Sequence, residues 1–351
     1  MRMGAGPFYG DVRQMPCKPR REYVLTYLTC AAPPDEKEPC PMPARFSLDT
    51  MPSLAYKLLI VAATAVWGIS FVFMKDVVEV LPPAWLLGIR FTCAGIILFT
   101  ILHKRVTSGF NLRVLGMGIV LGILDFSAFF AQTVGLQHTT PGINAFLTAT
   151  YCVIVPFIWW LVAHRRPTLF NLGAALLAIG GIWLVSVSSS DGGLTMGLGE
   201  GLTLVAAVIF ALHIVAVSKF SQHFDALGLT VLQFLTEGVL GLIVGGLTEP
   251  APALSVFTPD IIGQMVFLVL FASIFAFGAQ NLALAHVPPA QASLLLSLES
   301  VFGVVFSVIM TGEQLTVRLL VGFVLIFAAI MVSELLPVKK KETVEAVQQQ
   351  E

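Results

Sequence analysis

Glu299 is a carboxylic acid set in the run Leu294-Leu295-Leu296-Ser297-Leu298-Glu299-Ser300-Val301-Phe302. An ionisable side chain in such surroundings costs roughly 2.5–3.5 kcal/mol on membrane-insertion scales, so the chain needs a reason to keep it. It can bind a solute, take up a proton, or be neutralised by neighbouring helices as a structural group. Asp125, Arg90 and Glu237 stand in similar apolar runs. Arg90 and Glu237 fall at comparable depths, so they can pair, or Arg90 can hold an anionic solute. Tyr151 offers a phenol, and Gln132 and Gln280 offer amides that either meet a solute or join helices. Trp67 and Phe71, four residues apart, share one helix face and form either a platform for a flat solute or ordinary core packing.

These residues need a frame, and the sequence writes part of it twice. Ala131–Pro141 reads AQTVGLQHTTP and Ala279–Pro289 reads AQNLALAHVPP, with Ala, Gln, Leu, His and Pro recurring 148 positions on. A repeat of this length is settled before the fold is chosen. The chain is 56 % hydrophobic and 12 % charged, far more apolar than a soluble domain, where about a quarter of residues are charged. Ten apolar spans follow one another at about 56–77, 83–102, 114–136, 142–163, 169–188, 198–218, 227–247, 262–284, 290–310 and 317–337. Unpaired backbone groups find no partner in lipid, so the spans are predicted to be helices. Leu81-Pro82-Pro83, Thr140-Pro141-Gly142 and Val287-Pro288-Pro289 mark the turns, with proline opening the next helix.

Placing the N-terminus in the cytoplasm puts Lys104, Arg105, Arg113, Arg165, Arg166, Lys219 and Lys339–Lys341 inside, leaving Lys75 and Arg318 outside. That bias follows the positive-inside rule. Both termini are then cytoplasmic, with an even number of spans. Trp67–Lys75 and Ala211–Lys219 each close an apolar run with lysine, so each repeat holds five spans. Because five is odd, the second copy enters from the opposite face. The expected fold is an all-α integral membrane protein of ten transmembrane helices, arranged as two inverted five-helix repeats at 56–188 and 198–337. Residues 338–351 are read as a polar cytoplasmic tail, and residues 1–50, rich in proline and charge, as a disordered cytoplasmic extension.

The repeat also works as a ruler. Glu299 lies ten residues past Pro289, and Tyr151 ten past Pro141. At 1.5 Å per residue that is about 15 Å into a hydrocarbon core of about 30 Å, near the midplane. Carboxylate and phenol are thus expected to face each other, and Asp125 has Ser273 as its counterpart. His213 is read as a helix–helix contact, His138 and His286 as turn residues, and Glu313 as a partner for Arg318. Gly173, Gly180, Gly181, Gly238, Gly241, Gly245 and Gly246 are expected to let backbones approach closely.

At this point the residues resemble a known family. Trp67-Gly68-Ile69-Ser70-Phe71 through Lys75 resembles the signature closing the first helix of EamA-type transporters of the drug/metabolite transporter superfamily. Ala131–Leu136, Ala145–Thr148, Tyr151 and Val155-Pro156 resemble its third and fourth helices, and His164-Arg165-Arg166-Pro167 a basic turn that follows. Ser297–Phe302 with Gly312-Glu313 resembles its late motif. Ser300 stands where many members carry proline, and Arg165 where a glutamate often sits. The resemblance, covering about 56–337, implies ten helices and export or exchange of small metabolites.

The reading favoured is a secondary transporter of a small organic metabolite working by alternating access in the cell membrane, one repeat rocking against the other. Its expected partners are a small-molecule solute and the lipid bilayer, compatible with a homodimer, with no nucleic acid and no cofactor or metal. Other readings are a non-transporting membrane scaffold or sensor, and an intramembrane enzyme. The sequence carries no Walker A stretch, HExxH or nucleophile elbow, so it is not expected to be an enzyme. The five cysteines show no CxxC and no metal spacing.

Overall fold

A computed structural model describes residues 52–108, 111–163, 167–186, 196–221, 223–287, 292 and 295–348. The extension at 1–50, the basic turn at 164–166 and the Pro288-Pro289 pair lie outside the described residues. Twelve α-helices account for most of the rest: α1 Ser53–Val80, α2 Pro83–Ser108, α3 Leu112–Gln137, α4 Pro141–Thr148, α5 Tyr151–Ala163, α6 Leu169–Ser186, α7 Leu198–Phe220, α8 Ala226–Thr248, α9 Pro259–Phe267, α10 Ala276–His286, α11 Leu298–Thr311 and α12 Val317–Gln348. Among the described residues, seven helical stretches are long and apolar enough to cross a membrane, the last of them Pro259–His286, and three further apolar helices are shorter. The described part of the molecule is therefore an all-helical, multi-pass architecture.

Local chemistry explains the helix ends. Asn111, Thr140, Asp225 and Thr258 each accept a backbone N–H of the first turn, from Val114, Ile143, Gly228 and Ile261. Such caps satisfy donors that a helix start leaves over. Pro141 and Pro259 occupy the first helical turn, where their missing N–H costs nothing. Lys75 donates to the carbonyls of Leu136 and Gln137, a cation at the C-terminal end of α3. The last helix continues to Gln348, past the tenth apolar run.

Three spans depart from the regular helices expected. The fourth is broken between α4 and α5: Thr150 turns its hydroxyl onto the Leu147 carbonyl, and Thr150 and Cys152 make tight backbone bonds to the third residue back. The ninth interrupts at Ser297, whose carbonyl receives both the backbone N–H and the hydroxyl of Ser300. In the eighth, Leu268–Phe275 forms a π-helical segment between α9 and α10. Wide turns of this type recur at functional sites because they release carbonyls and re-aim side chains.

The core runs along a seam between α2 and α8. A Cβ on Gly241 would fall 2.5 Å from the backbone nitrogen of Gly88, so only glycine allows this approach. Gly238 meets Thr92, Gly245 meets Trp85, and Gly181 on α6 meets Gly322 on α12. Gly173, Gly180 and Gly246, expected to do the same, face open space instead. Helix α3 packs on α7 and α8, and α1 on α10 and α11. Small residues at such contacts take the place of the hydrophobic drive that lipid does not supply.

Candidate functional site

A cavity of about 640 Å³, its mouth included, opens among α1, α2, α3, α4, α5, α7, α10 and α11. Its apolar walls are aromatic. Trp67 stands edge-on to Phe277 at 5.2 Å between ring centroids, Phe129 edge-on to Phe210 at 5.1 Å, and Phe129 tilted against Phe277 at 5.6 Å. Phe71 completes the lining from α1. Trp67 is held rigidly because its indole N–H donates to the Ala272 carbonyl at 2.9 Å, inside the π-helical segment. An apolar enclosure with few polar groups is the usual build of a small-molecule site.

The polar groups come from the irregular parts. Tyr151 is the first residue of α5 and Glu299 the second of α11, so both sit where a span is interrupted. Their hydroxyl and carboxyl face each other within hydrogen-bonding reach, and Glu299 Oε1 has no donor. Helix starts carry partial positive charge, which favours a carboxylate in the first turn of α11. Gln132 Nε2 donates to Thr148 Oγ1 at 2.8 Å, tying α3 to α4 while still lining the cavity. Gln280 also lines it, 3.5 Å from Asn281 Oδ1.

Of the nine candidate residues, Trp67, Phe71, Arg90, Gln132, Tyr151, Gln280 and Glu299 line this one cavity; Asp125 and Glu237 do not. Those two acids lie behind its wall, fully buried. Arg90 makes its hydrogen bond to Ser273 Oγ at 2.7 Å rather than to Glu237, and its guanidinium lies 4.8 Å from the Phe91 ring centroid and 5.2 Å from that of Phe129. The aromatic faces offset part of the cost of burying the cation. Both acids still act on it as nearby charges.

The amino-acid pattern of the EamA-like transporter family matches residues 54–187 and again 197–335. The chain belongs to the EamA-like transporter family. Among relatives of this EamA chain, an uncharacterized transporter of Archaeoglobus fulgidus is 27% identical over 269 residues, covering 76% of this chain and 82% of its own length. The uncharacterized inner membrane transporter YedA of Escherichia coli K12 is 26% identical over 275 residues, 76% of this chain and 87% of its own. A crystal structure superposes with a TM-score of 0.62 over 81% of this chain and 97% of that one, at 17% identity, a likeness of fold alone.

Several residues that shape the EamA chain's site were not legible in its sequence. Phe129, Phe210 and Phe277 look like ordinary core phenylalanines, and only their convergence from three helices makes a wall. His213 contacts another helix as expected, its Nε2 lying 3.2 Å from Gln233 Oε1, but it also lines the cavity. Gln233 gave no signal beyond polarity. Glu313 does not reach Arg318. It accepts from the Thr140 hydroxyl, the Gly142 N–H at 3.1 Å and the Ser307 hydroxyl. Arg318 donates instead to the Leu184 carbonyl at 2.7 Å. The Gly142 N–H at the start of α4 donates to the Glu313 carboxylate, an anion at the positive end of a helix. His286 lies flat against Tyr56, with ring centroids 4.5 Å apart.

Proposed function

We propose that the chain is a secondary transporter that exports or exchanges a small organic metabolite across the cell membrane by alternating access. One observation supports this above others. The cavity takes Trp67 and Tyr151 from the first family-matched stretch and Phe210, Phe277 and Glu299 from the second, and it lies where two spans are interrupted. Discontinuous helices at the junction of two halves are the recurring build of transporter sites. In this reading the aromatic wall holds the apolar body of the solute. Glu299, set by Tyr151, accepts a hydrogen bond from its ammonium, hydroxyl or amide. Gln132 and Gln280 supply further polar contacts.

The reading takes residues 56–188 and 198–337 as inverted five-helix repeats crossing ten times, with both termini cytoplasmic. Residues 1–50 and 338–351 are then cytoplasmic appendages. Purified protein in liposomes, given a broad panel of amino acids, amines, nucleosides and organic acids, tests the function. Uptake or counterflow of at least one class is expected. A panel in which nothing moves, with the protein correctly inserted, overturns the reading.

A further inference from the structure

At the cavity wall and behind it lies a cluster of ionisable groups that the solute reading gives no role, with only His213 reaching the lining. Asp125 on α3, His213 on α7, and Gln233 and Glu237 on α8 are all at most 1% exposed. Gln233 Nε2 donates to Asp125 Oδ2 at 2.6 Å and to Glu237 Oε1 at 3.2 Å, which uses both of its hydrogens. Its Oε1 therefore faces His213 Nε2 as an acceptor, so Nε2 carries a hydrogen. In a neutral imidazole this leaves Nδ1 with a lone pair. That lone pair lies 3.7 Å from Asp125 Oδ1, and Asp125 Oδ1 and Glu237 Oε2 both lack any donor. Two buried carboxylates and one imidazole lone pair thus meet with no hydrogen between them. A buried polar atom left in that state is costly.

Charge makes the same point. Among the described residues, Arg90 on α2 is the cation placed near both acids, and its side chain donates to the neutral Ser273 of the π-helical segment. Arg90 contributes one positive charge against two negative ones. One added proton balances the set and supplies the missing hydrogen, either between Asp125 and His213 or between Asp125 and Glu237. The route is also visible: His213 and Arg90 line the cavity, whereas Asp125, Gln233 and Glu237 do not. A proton coming from the cavity meets the imidazole first.

We propose that Asp125, His213 and Glu237, oriented by Gln233, bind one exchangeable proton at a site separate from the solute's own contacts, and that solute movement is coupled to it. The coupling rests on the transporter reading; the proton site does not. Uptake transfers a proton from a hydronium ion in the cavity, leaving water and forming an N–H bond at His213 Nδ1. Passing it on breaks that bond and forms an O–H bond at Asp125 Oδ1 or, through Asp125, at Glu237 Oε2. Release runs the same steps in reverse to water, and no electrons change hands.

Infrared difference spectra of the purified protein in lipid, recorded against pH, test the site without any solute. A carbonyl band of a neutral carboxylic acid should grow as pH falls, and Asp125→Asn and Glu237→Gln should each abolish or shift it. His213→Asn should slow its appearance after a pH jump by tenfold or more. With Glu299→Gln as the background, so that this second buried acid is silent, a titrating band that survives both acid substitutions overturns the proposal. If neither variant inserts, Glu299→Gln alone decides, since a spectrum of it with no titrating band from a buried carboxylic acid overturns the proposal equally. Solute flux in liposomes with and without a pH gradient separates the two readings. Flux that ignores the gradient overturns the coupling and leaves a transporter. A titrating band with no solute moved keeps the proton site and overturns the coupling together with the transport reading.

Discussion

Tyr151 and Glu299 stand 148 positions apart in the chain, each opens a helix at an interrupted span, and they face one another in the same cavity. The pairing leaves Glu299 Oε1 buried and without a donor.

Glu299→Gln removes the charge and keeps the shape. Loss of a charge-assisted hydrogen bond, about 1.5–3 kcal/mol, predicts a solute affinity weakened roughly tenfold to a hundredfold, with membrane insertion unchanged. Concentration-dependent flux in liposomes measures it, and flux identical to wild type at several pH values removes Glu299 from the site. Tyr151→Phe should shift affinity in the same direction by a smaller factor.

The α2–α8 seam makes a second prediction. Gly241→Val forces a branched side chain onto the Gly88 backbone, and overpacking of this kind costs about 1–3 kcal/mol or more. Gly246→Ala, where nothing lies within 4 Å, should be neutral or slightly stabilising. The unfolding temperatures of the two variants in detergent should differ by several degrees, and equal values would mean that the seam does not hold the helices together.

Glu313 links the loop after α11 to the first turn of α4. Glu313→Ala removes its bonds to Thr140, Gly142 and Ser307, and losing a helix cap costs about 1–2 kcal/mol. Glu313→Gln should recover part of the loss. Thermal unfolding of both variants checks the order; Gln no better than Ala would mean that the charge matters more than the geometry.

The family match begins at residue 54, so deleting residues 1–50 should leave flux in liposomes within about twofold of the full chain. Loss of flux in a correctly inserted deletion would assign the extension a working part.

Much of the frame was legible because lipid imposes a simple rule: a long apolar run becomes a helix, and its capping residues and prolines mark the ends. The ruler from Pro141 pointed to Tyr151 as a midplane residue, and Tyr151 lines the cavity as the first residue of a new helix rather than the middle of a continuous one. What stayed hidden depends on rotation about the helix axis and on small backbone departures. Leu268–Phe275 reads as ordinary apolar helix, yet its π-helical turn aims Ser273 at Arg90 and the Ala272 carbonyl at Trp67. Gln233 is 108 residues from Asp125, and nothing in either segment announces their contact. Arg90 and Glu237 were expected at similar depths, but depth does not tell which groups face each other.

The glycine seam has a bearing on motion. Helix α2 belongs to the first family-matched stretch and α8 to the second, yet Gly88, Thr92 and Trp85 mesh with Gly241, Gly238 and Gly245 along their shared length. Backbones in such contact cannot slide or part without opening a void that neither lipid nor a side chain can fill. The close approach favours the two helices acting as a single strut. On the proposed alternating-access reading, the opening then runs around that strut rather than along the boundary between the two family-matched stretches.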